Sequence, residues 1–183
     1  MLSTRSSSIT DSELIAQEAP GLSRKVRIHK RPEELCGDFV SMNRVIEYDL
    51  SLLDTDIVLQ THSTNPLLRS ETIAKALKRF VEENQHDSLF SVNAYQSRFY
   101  DHEGRAINHN PKELLRTRDL CPVYEENSCI YLFTNESFSV ESRRIGWHPV
   151  LFPTAWIESI DIDNEYAFRL AELLAGYASH MAE

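Results

Sequence analysis

The stretch "DIVLQTHSTNPLLRSETIAKALKRFVEENQHDSLFSV", Asp56 to Val92, decides the fold. Its opening run, Ile57-Val58-Leu59, is short, apolar and partly β-branched, which predicts a buried strand. Polar residues from Thr61 to Asn65 and then Pro66 end that run. Ile73, Ala74, Leu77, Phe80 and Val81 recur at the spacing of one helical face, and the helix is expected to reach about Asn84. "SLFSV", Ser88 to Val92, reads as the next strand. Strand, long helix and strand make a βαβ unit, which lays its two strands parallel in one sheet.

The same alternation extends on both sides. Upstream, "TDSE" (Thr10 to Glu13) reads as a capping box in which the Thr10 hydroxyl takes the N3 amide and Glu13 reaches back. A short helix over 11–19 follows, ended by Pro20-Gly21. "KVRIH" is a strand candidate, "RPEEL" turns the chain, and Val45, Ile46, Leu50 and Leu53 predict a helix from about Ser41. Downstream, "CIYLF" reads as strand, "ESFSVES" as helix and "PVLFP" as a run leading to the last segment. The expected class is α/β, a three-layer fold with a mostly parallel sheet. Between Asn93 and Tyr131 the rhythm changes. "RFYDHEGRAI" suggests a hairpin around Glu103-Gly104 and "NPKELLRTR" a short helix, an excursion suited to substrate or partner contacts. Residues 1–8, polar and Ser-rich, are expected to be disordered, with one domain over 9–183.

Charge and cysteine usage narrow the class of partner. Lys+Arg total 19 against Asp+Glu 28, a formal net charge of -9, and the basic residues are scattered. That excludes nucleic acid and anionic membrane as expected partners. No apolar run approaches the roughly 18 residues of a membrane span. Cys36, Cys121 and Cys129 are odd in number and lack CxxC spacing, so they read as reduced thiols of a cytoplasmic protein.

Two stretches carry candidate chemistry. Gln60, Thr61, His62, Ser63, Thr64 and Asn65 follow a strand directly, and in open α/β sheets ligands bind at the carboxyl ends of strands. The second stretch is "ESIDIDNEYAFRLAELL", Glu158 to Leu174. If it is extended through Ile160 and Ile162, both isoleucines face the core. Asp161 and Asp163 then face the other way, roughly 7 Å apart along the backbone, where they can share one divalent cation. The same acids also read as a helix start, with Asp163 as cap and Glu165 in the first turn. Ala167, Leu170, Ala171, Leu174 and Ala178 would then form the apolar stripe. The chain has no GxSxG, Walker loop, GxGxxG or HExxH, and it holds only five glycines. Phosphate binding by a glycine loop is therefore not expected of these residues.

In order and spacing, "TDSELIAQEA", "RPEELCGDFVS", "VLQTHSTNPLL", "ENSCIYLF" and "SIDIDNEYAFRLAE" resemble the acylneuraminate cytidylyltransferases, the CMP-sialic acid synthetases, over about Ser8 to Leu174. The resemblance implies a Rossmann-like nucleotide-diphosphosugar transferase fold. It also implies transfer of CMP from CTP to the anomeric hydroxyl of a nine-carbon sugar acid, with release of pyrophosphate and with Mg2+ (or Mn2+) as cofactor. Asp161 and Asp163 match the catalytic, metal-holding aspartates, and Arg31, Val40 and Ser41 match the wall around the cytosine. Gln60, Thr61 and Ser63 match sugar-side contacts, Arg118 a basic residue near the sugar acid, and Asn127 and Tyr131 a segment shaping that pocket. A homodimer is implied as well.

Three differences set this chain apart from the family pattern. The family begins with a strand and an Arg/Ser/Lys-rich loop that grips the triphosphate, so the fold is expected to be truncated at its N-terminus and inactive alone. "QTHSTNPL" is longer than the family's "QPTSPL". Glu125 and Glu126 stand where an Arg-Pro pair is usual, which sets acids near an acidic substrate. Two alternatives accompany the main reading: a non-catalytic relic or interaction module of the family, and a cytidylyltransferase for an eight-carbon sugar acid.

Overall fold

A computed structural model describes residues 6–10, 12–37, 39–83 and 85–180. Strand β1 (Ser6–Thr10) pairs in parallel with β2 (Val26–Lys30) in a small two-stranded sheet, joined by helix α1 (Glu13–Glu18) and a 3-10 turn over Ala19–Gly21. The expected start is corrected here. Ser6, Ser7 and Ser8 are strand, and residues 1–5 lie outside the described residues. Thr10 ends β1, and its hydroxyl accepts from the Ser12 amide at 3.0 Å. The helix cap is Ser12, whose hydroxyl accepts from the Ile15 amide. Asp11 lies outside the described residues.

The main sheet has the order β3-β5-β4-β6. Helix α2 (Met42–Ser51) precedes β3 (Ile57–Thr61), and α3 (Ser70–Glu82) joins β3 to β4 (Ser88–Tyr95) as the βαβ reading requires. The expected end of α3 near Asn84 lies outside the described residues. Strand β5 (Val123–Thr134), helix α4 (Asn135–Glu141), β6 (Pro149–Pro153) and α5 (Glu165–His180) complete the chain. β5 is antiparallel to both β3 and β4, whereas β6 is parallel to β4. Three strands thus share one direction and β5 reverses it. The reason is the connection: no crossover helix lies between β4 and β5, so the chain returns antiparallel beside the strand it has just left.

The sheet is covered on both faces, which makes three layers. Ala76 and Phe80 of α3 pack with Leu89, Ile130, Leu132 and Val150 on one face. Ile46 and Leu50 of α2 and Phe138 of α4 pack with Tyr131 and Phe133 on the other. β5 supplies both faces, and residues 129–133 are fully buried. Its register against β4 slips between Phe90 and Val92, and Ser128 turns to φ 59° at that bulge. Asn127 closes the slip. Its Nδ2 donates to Asn93 Oδ1 at 3.0 Å and Thr154 Oγ1 at 2.7 Å, while its Oδ1 accepts from Ser91 Oγ at 2.6 Å.

The excursion is shorter than expected and spans 96–122, because β4 continues through Tyr95 and β5 begins at Val123. Its hairpin exists as a Tyr100–Ala106 bridge around Gly104. The helix expected over "NPKELLRTR" does not form. Only a 3-10 turn, Thr117–Asp119, appears, and Leu114 and Leu115 are exposed. So short a helix is unstable without an apolar face to bury. Asn108 clasps the excursion instead, donating to the carbonyls of Ser97 and Cys121 and accepting from the Phe99 amide.

Burial, with the nearby Asp161 and Glu158 charges, pushes the Cys129 thiol up to about 12. Cys121 is exposed. Iodoacetamide at pH 8 is expected to modify Cys121 readily and Cys129 only after denaturation, because the thiolate is the reactive form. Peptide mass mapping of the native and urea-treated chain checks this.

Candidate active site

The turn that carries the paired carboxylates is held from two sides. A 3-10 turn over Trp156–Ser159 buries Glu158 almost completely. There Glu158 accepts from Arg69 Nε at 2.7 Å, from Thr72 Oγ1 at 3.0 Å and from the Arg69 amide at 3.3 Å, all at the start of α3. Beyond it, Asn65 Nδ2 donates to the Ile160 carbonyl at 3.3 Å, and the Ile162 amide donates to the Thr64 carbonyl at 2.9 Å. Asp161 is therefore pinned between two bonds to the loop that follows β3. Residues 160–164 form no strand, and of the extended run considered through Ile160 and Ile162 the backbone at Ile160 is extended.

The two aspartates differ. Asp161 is half-buried, and its Oδ1 is buried without a hydrogen-bond partner. Asp163 is exposed and does not cap α5. Asn164 does, with its Oδ1 accepting from the Ala167 amide at 3.0 Å. The expected apolar stripe is only partly used: Ala171 is buried and Leu170 exposed, and nothing is described for the Ala178 side chain.

Gln60 and Tyr131 meet as directly paired residues of β3 and β5, and the structure adds partners that sequence reasoning missed. Arg144 stacks on Tyr131 with its guanidinium carbon 3.6 Å from the ring centroid. It donates to the Tyr131 hydroxyl at 2.9 Å and to Gln60 Oε1 at 3.3 Å. Glu126 accepts from the Tyr131 hydroxyl and lies 3.5 Å from Arg144. Burial, then the hydrogen bond to Glu126, drives the Tyr131 phenol up to about 12, so it stays protonated. His62 sits 3.2 Å from Gln60 Nε2. Burial and the Arg144 charge lower its pKa against the pull of Asp161, which keeps the imidazole neutral at pH 7.

The two acids that set the chain apart are consumed internally. Glu125 accepts from the Tyr95 hydroxyl at 2.6 Å and from Asn93 at 3.1 Å, bonds that hold its carboxyl below the usual range. Glu126 is engaged by Tyr131 and Arg144. Neither presents a bare charge to the site. The adjacent Arg143 and Arg144 just after α4 are the one sequence signal that points here.

Ser41 caps α2, its hydroxyl accepting from the Asn43 amide at 3.3 Å. With Met42 and Asn43 it forms one wall of a cleft of about 440 Å³ whose other wall is Arg143, Arg144 and Ile145. One of the residues expected near cytosine therefore shares a cleft with the Gln60–Tyr131 cluster through Arg144. Arg31 follows β2, its amide donating to the Thr10 carbonyl, and the Val40 amide donates to Gly37 just before the α2 cap. Thr61 ends β3 and Ser63 sits in the loop after it, both exposed. Arg118 is exposed in the excursion, in the Thr117–Asp119 turn. Asn127 is a buried hub whose hydrogen-bonding groups are spent on Asn93, Ser91 and Thr154.

The segment bearing Arg143 and Arg144 is itself anchored. Asp87 accepts from the amides of Trp147 at 2.7 Å and His148 at 3.1 Å. Burial opposes its ionisation, but these bonds and the Ser88 hydroxyl outweigh it and hold the carboxyl below its usual value. A Cβ on Gly146 would come within 2.5 Å of that carboxylate.

A cytidylyltransferase family model matches residues 9–175. The chain belongs to the cytidylyltransferase family. The resemblance read from its motifs is borne out at that level, and the chain is a nucleotidyltransferase by membership. It is 26% identical over 178 residues to "Post-translational flagellin modification protein B" of Campylobacter coli, covering 90% of this chain and 74% of that one. Two solved structures share the fold at 12% identity. The 4-diphosphocytidyl-2C-methyl-D-erythritol synthase of Anaerococcus prevotii has a TM-score of 0.64, over 94% of this chain and 78% of its own. A CMP:2-keto-3-deoxy-manno-octonic acid synthetase complexed with CTP has a TM-score of 0.61, over 96% and 82%. The α/β class expected from the sequence is borne out. No helix among the described residues is long and apolar enough to cross a membrane.

The Glu158–Arg69 pair generates an asymmetric prediction. Arg69→Ala leaves a carboxylate buried without its charge partner and is expected to cost about 3 kcal/mol. Glu158→Gln returns a mostly exposed guanidinium to water and is expected to cost less, about 2 kcal/mol. Urea denaturation of both variants checks the order.

Proposed function

We propose, in place of the inactivity expected from a truncated start, that the chain transfers CMP from CTP to the anomeric hydroxyl of a nine-carbon sugar acid and releases pyrophosphate. The observation that carries this reading is the pinning of the Asp161 turn against the loop after β3, beside the Gln60–Tyr131–Arg144 cluster. In a cytidylyltransferase, that arrangement sets a carboxylate pair next to a polar acceptor pocket at the carboxyl end of a strand.

Asp161 and Asp163 fit a divalent cation on a physical ground. A buried carboxylate oxygen without a partner is costly unless a ligand completes it, and Asp161 Oδ1 is such an atom. No group of three or more His, Cys, Asp or Glu gathers among the described residues. Mg2+ or Mn2+ held by the two carboxylates would take its remaining ligands from substrate oxygens and water. When bound, the ion would supply charge neutralisation at the α-phosphate and a lower pKa for the attacking hydroxyl. The protein's own part is positional. Glu158, Asn65 and Thr64 fix Asp161, Asn164 starts α5 beside it, and the amides of that helix start favour phosphate. Gln60, Thr61 and Ser63 face the sugar side, and Ser41, with Arg31 and Val40 before it, faces the nucleotide.

The eight-carbon sugar acid is the second reading. A likeness of fold at 12% identity does not favour it over the first. The exposed Tyr100, Leu114 and Leu115 of the excursion are the surface we assign to a homodimer. Light scattering is expected to show a dimer at micromolar concentration, and a monomer there overturns that assignment.

Asp161→Asn and Asp163→Asn are expected to lower Mg2+-dependent CMP transfer by about 100-fold or more, in line with losses at ligands that stabilise developing charge. Their melting temperatures should stay close to that of the parent. Release of pyrophosphate from CTP, followed with a panel of sugar acids at limiting Mg2+, is the measurement. Unchanged activity in both variants would overturn the metal role.

A further inference from the structure

Arg144 is held more firmly than a surface arginine needs to be. Its side chain is only 19% exposed, and three contacts fix the plane of its guanidinium: the Tyr131 ring at 3.6 Å, the Tyr131 hydroxyl at 2.9 Å and Gln60 Oε1 at 3.3 Å. Such a fork is built to meet a planar oxyanion edge-on. The charge opposite it is Glu126, at a loose 3.5 Å and with a side chain 42% exposed. Cation and anchor are rigid, while the carboxylate that answers them lies on the solvent side, held by the Tyr131 hydroxyl and by this loose contact to Arg144.

The cleft adds to this. Its facing wall is the first turn of α2, and the positive end of that helix dipole biases it toward negative charge. Arg143 stands beside Arg144 on the near wall. Its guanidinium carbon lies 4.6 Å from the Trp147 ring centroid, and its Nε is buried without a partner. A carboxylate is favoured over a phosphate because the anchors of Arg144, Gln60 and Tyr131, lie on the sugar side of the proposed reaction. An internal carboxylate also already occupies the fork.

We infer that Arg144 selects the acceptor through its carboxylate, which displaces Glu126 from the guanidinium in the cleft between α2 and residues 143–145. Glu126 is then a placeholder that keeps the cation paired until an acidic sugar arrives. This rests on the cytidylyltransferase reading above. Neutral sugars gain nothing from the exchange, because they leave Arg144 with the partner it already has.

Calorimetry on the 183-residue chain, with CDP and Mg2+ present to prevent turnover, tests this. The probes are N-acetylneuraminate and 3-deoxy-manno-octulosonate, each as free acid and as methyl ester. The parent is expected to bind at least one free acid about tenfold or more tighter than its ester. Arg144→Gln should abolish that preference, and Glu126→Gln should widen it by removing the competitor. The opposite sign of the second variant guards against a folding artefact. CTP affinity, titrated separately, should be unchanged in Arg144→Gln. Equal binding of acid and ester by the parent, no binding of any sugar, or a loss that falls on CTP instead overturns the inference while the CTP reading stands. A parent that fails to bind CTP sinks the cytidylyltransferase reading and this inference with it.

Discussion

A single buried carboxylate fixes the turn on which the proposed chemistry rests. Glu158 is almost wholly removed from water, and only the start of α3, through Arg69 and Thr72, makes that tolerable. An ionised carboxyl in such a place is stable only while every lone pair is answered. The position of the turn at 156–159 is thus locked to a helix nearly ninety residues earlier in the chain. Asp161 inherits its place from that lock, and the bonds from Asn65 and Thr64 refine it. The site depends on this interaction more than on the sheet itself, because the segment carrying the aspartates pairs with no strand.

The sheet contributes a different precision. Tyr131 is rigid because it lies in the fully buried later part of β5, on a face that α2 and α4 cover. The bulge at Ser91 and Ser128 brings the Glu126 carboxylate to the Tyr131 hydroxyl, so the acid lands beside Arg144. Asn127 makes the bulge affordable by spending its whole amide on Asn93, Thr154 and Ser91. Residues that touch no substrate thereby set the geometry of those that face the cleft.

Much of this architecture was legible in the sequence. The periodicity of Val45, Ile46 and Leu50, and of Ile73, Leu77 and Phe80, is a direct imprint of faces that must be buried, although Ala74 and Val81 of the second window are exposed and Ala76 is buried instead. The βαβ unit around them followed from it. Local patterns also located the loop after β3 and the aspartate turn. They did not show the reversal of β5, because strand direction depends on the connection and not on the residues within the strand. The helix expected over 110–118 failed for a related reason: Leu114 and Leu115 suit a helix, but no surface of the same chain covers them. Arg144 was missed because its role exists only through long-range partners, Gln60 some eighty positions away among them. Glu158 was missed because an acid in a mostly apolar run reads as solvated until its partner is seen.

The placement of β5 also governs how the chain must assemble in time. It is flanked by β3 and β4, yet Thr134 pairs with Ile57, and Phe133 with Ser88 and Val58. The pairing with β3 closes a loop of roughly seventy residues, and the entropy of that closure is lost before burial of residues 129–133 repays it. The helices and the β3–α3–β4 unit can form from near neighbours, whereas β5 has to wait for both of its flanking strands. Folding speed is therefore set by the arrival of this one strand, as expected for a topology rich in non-local contacts. Until β5 docks, the facing edges of β3 and β4 stay open, and Glu126 and Tyr131 have not yet met Arg144.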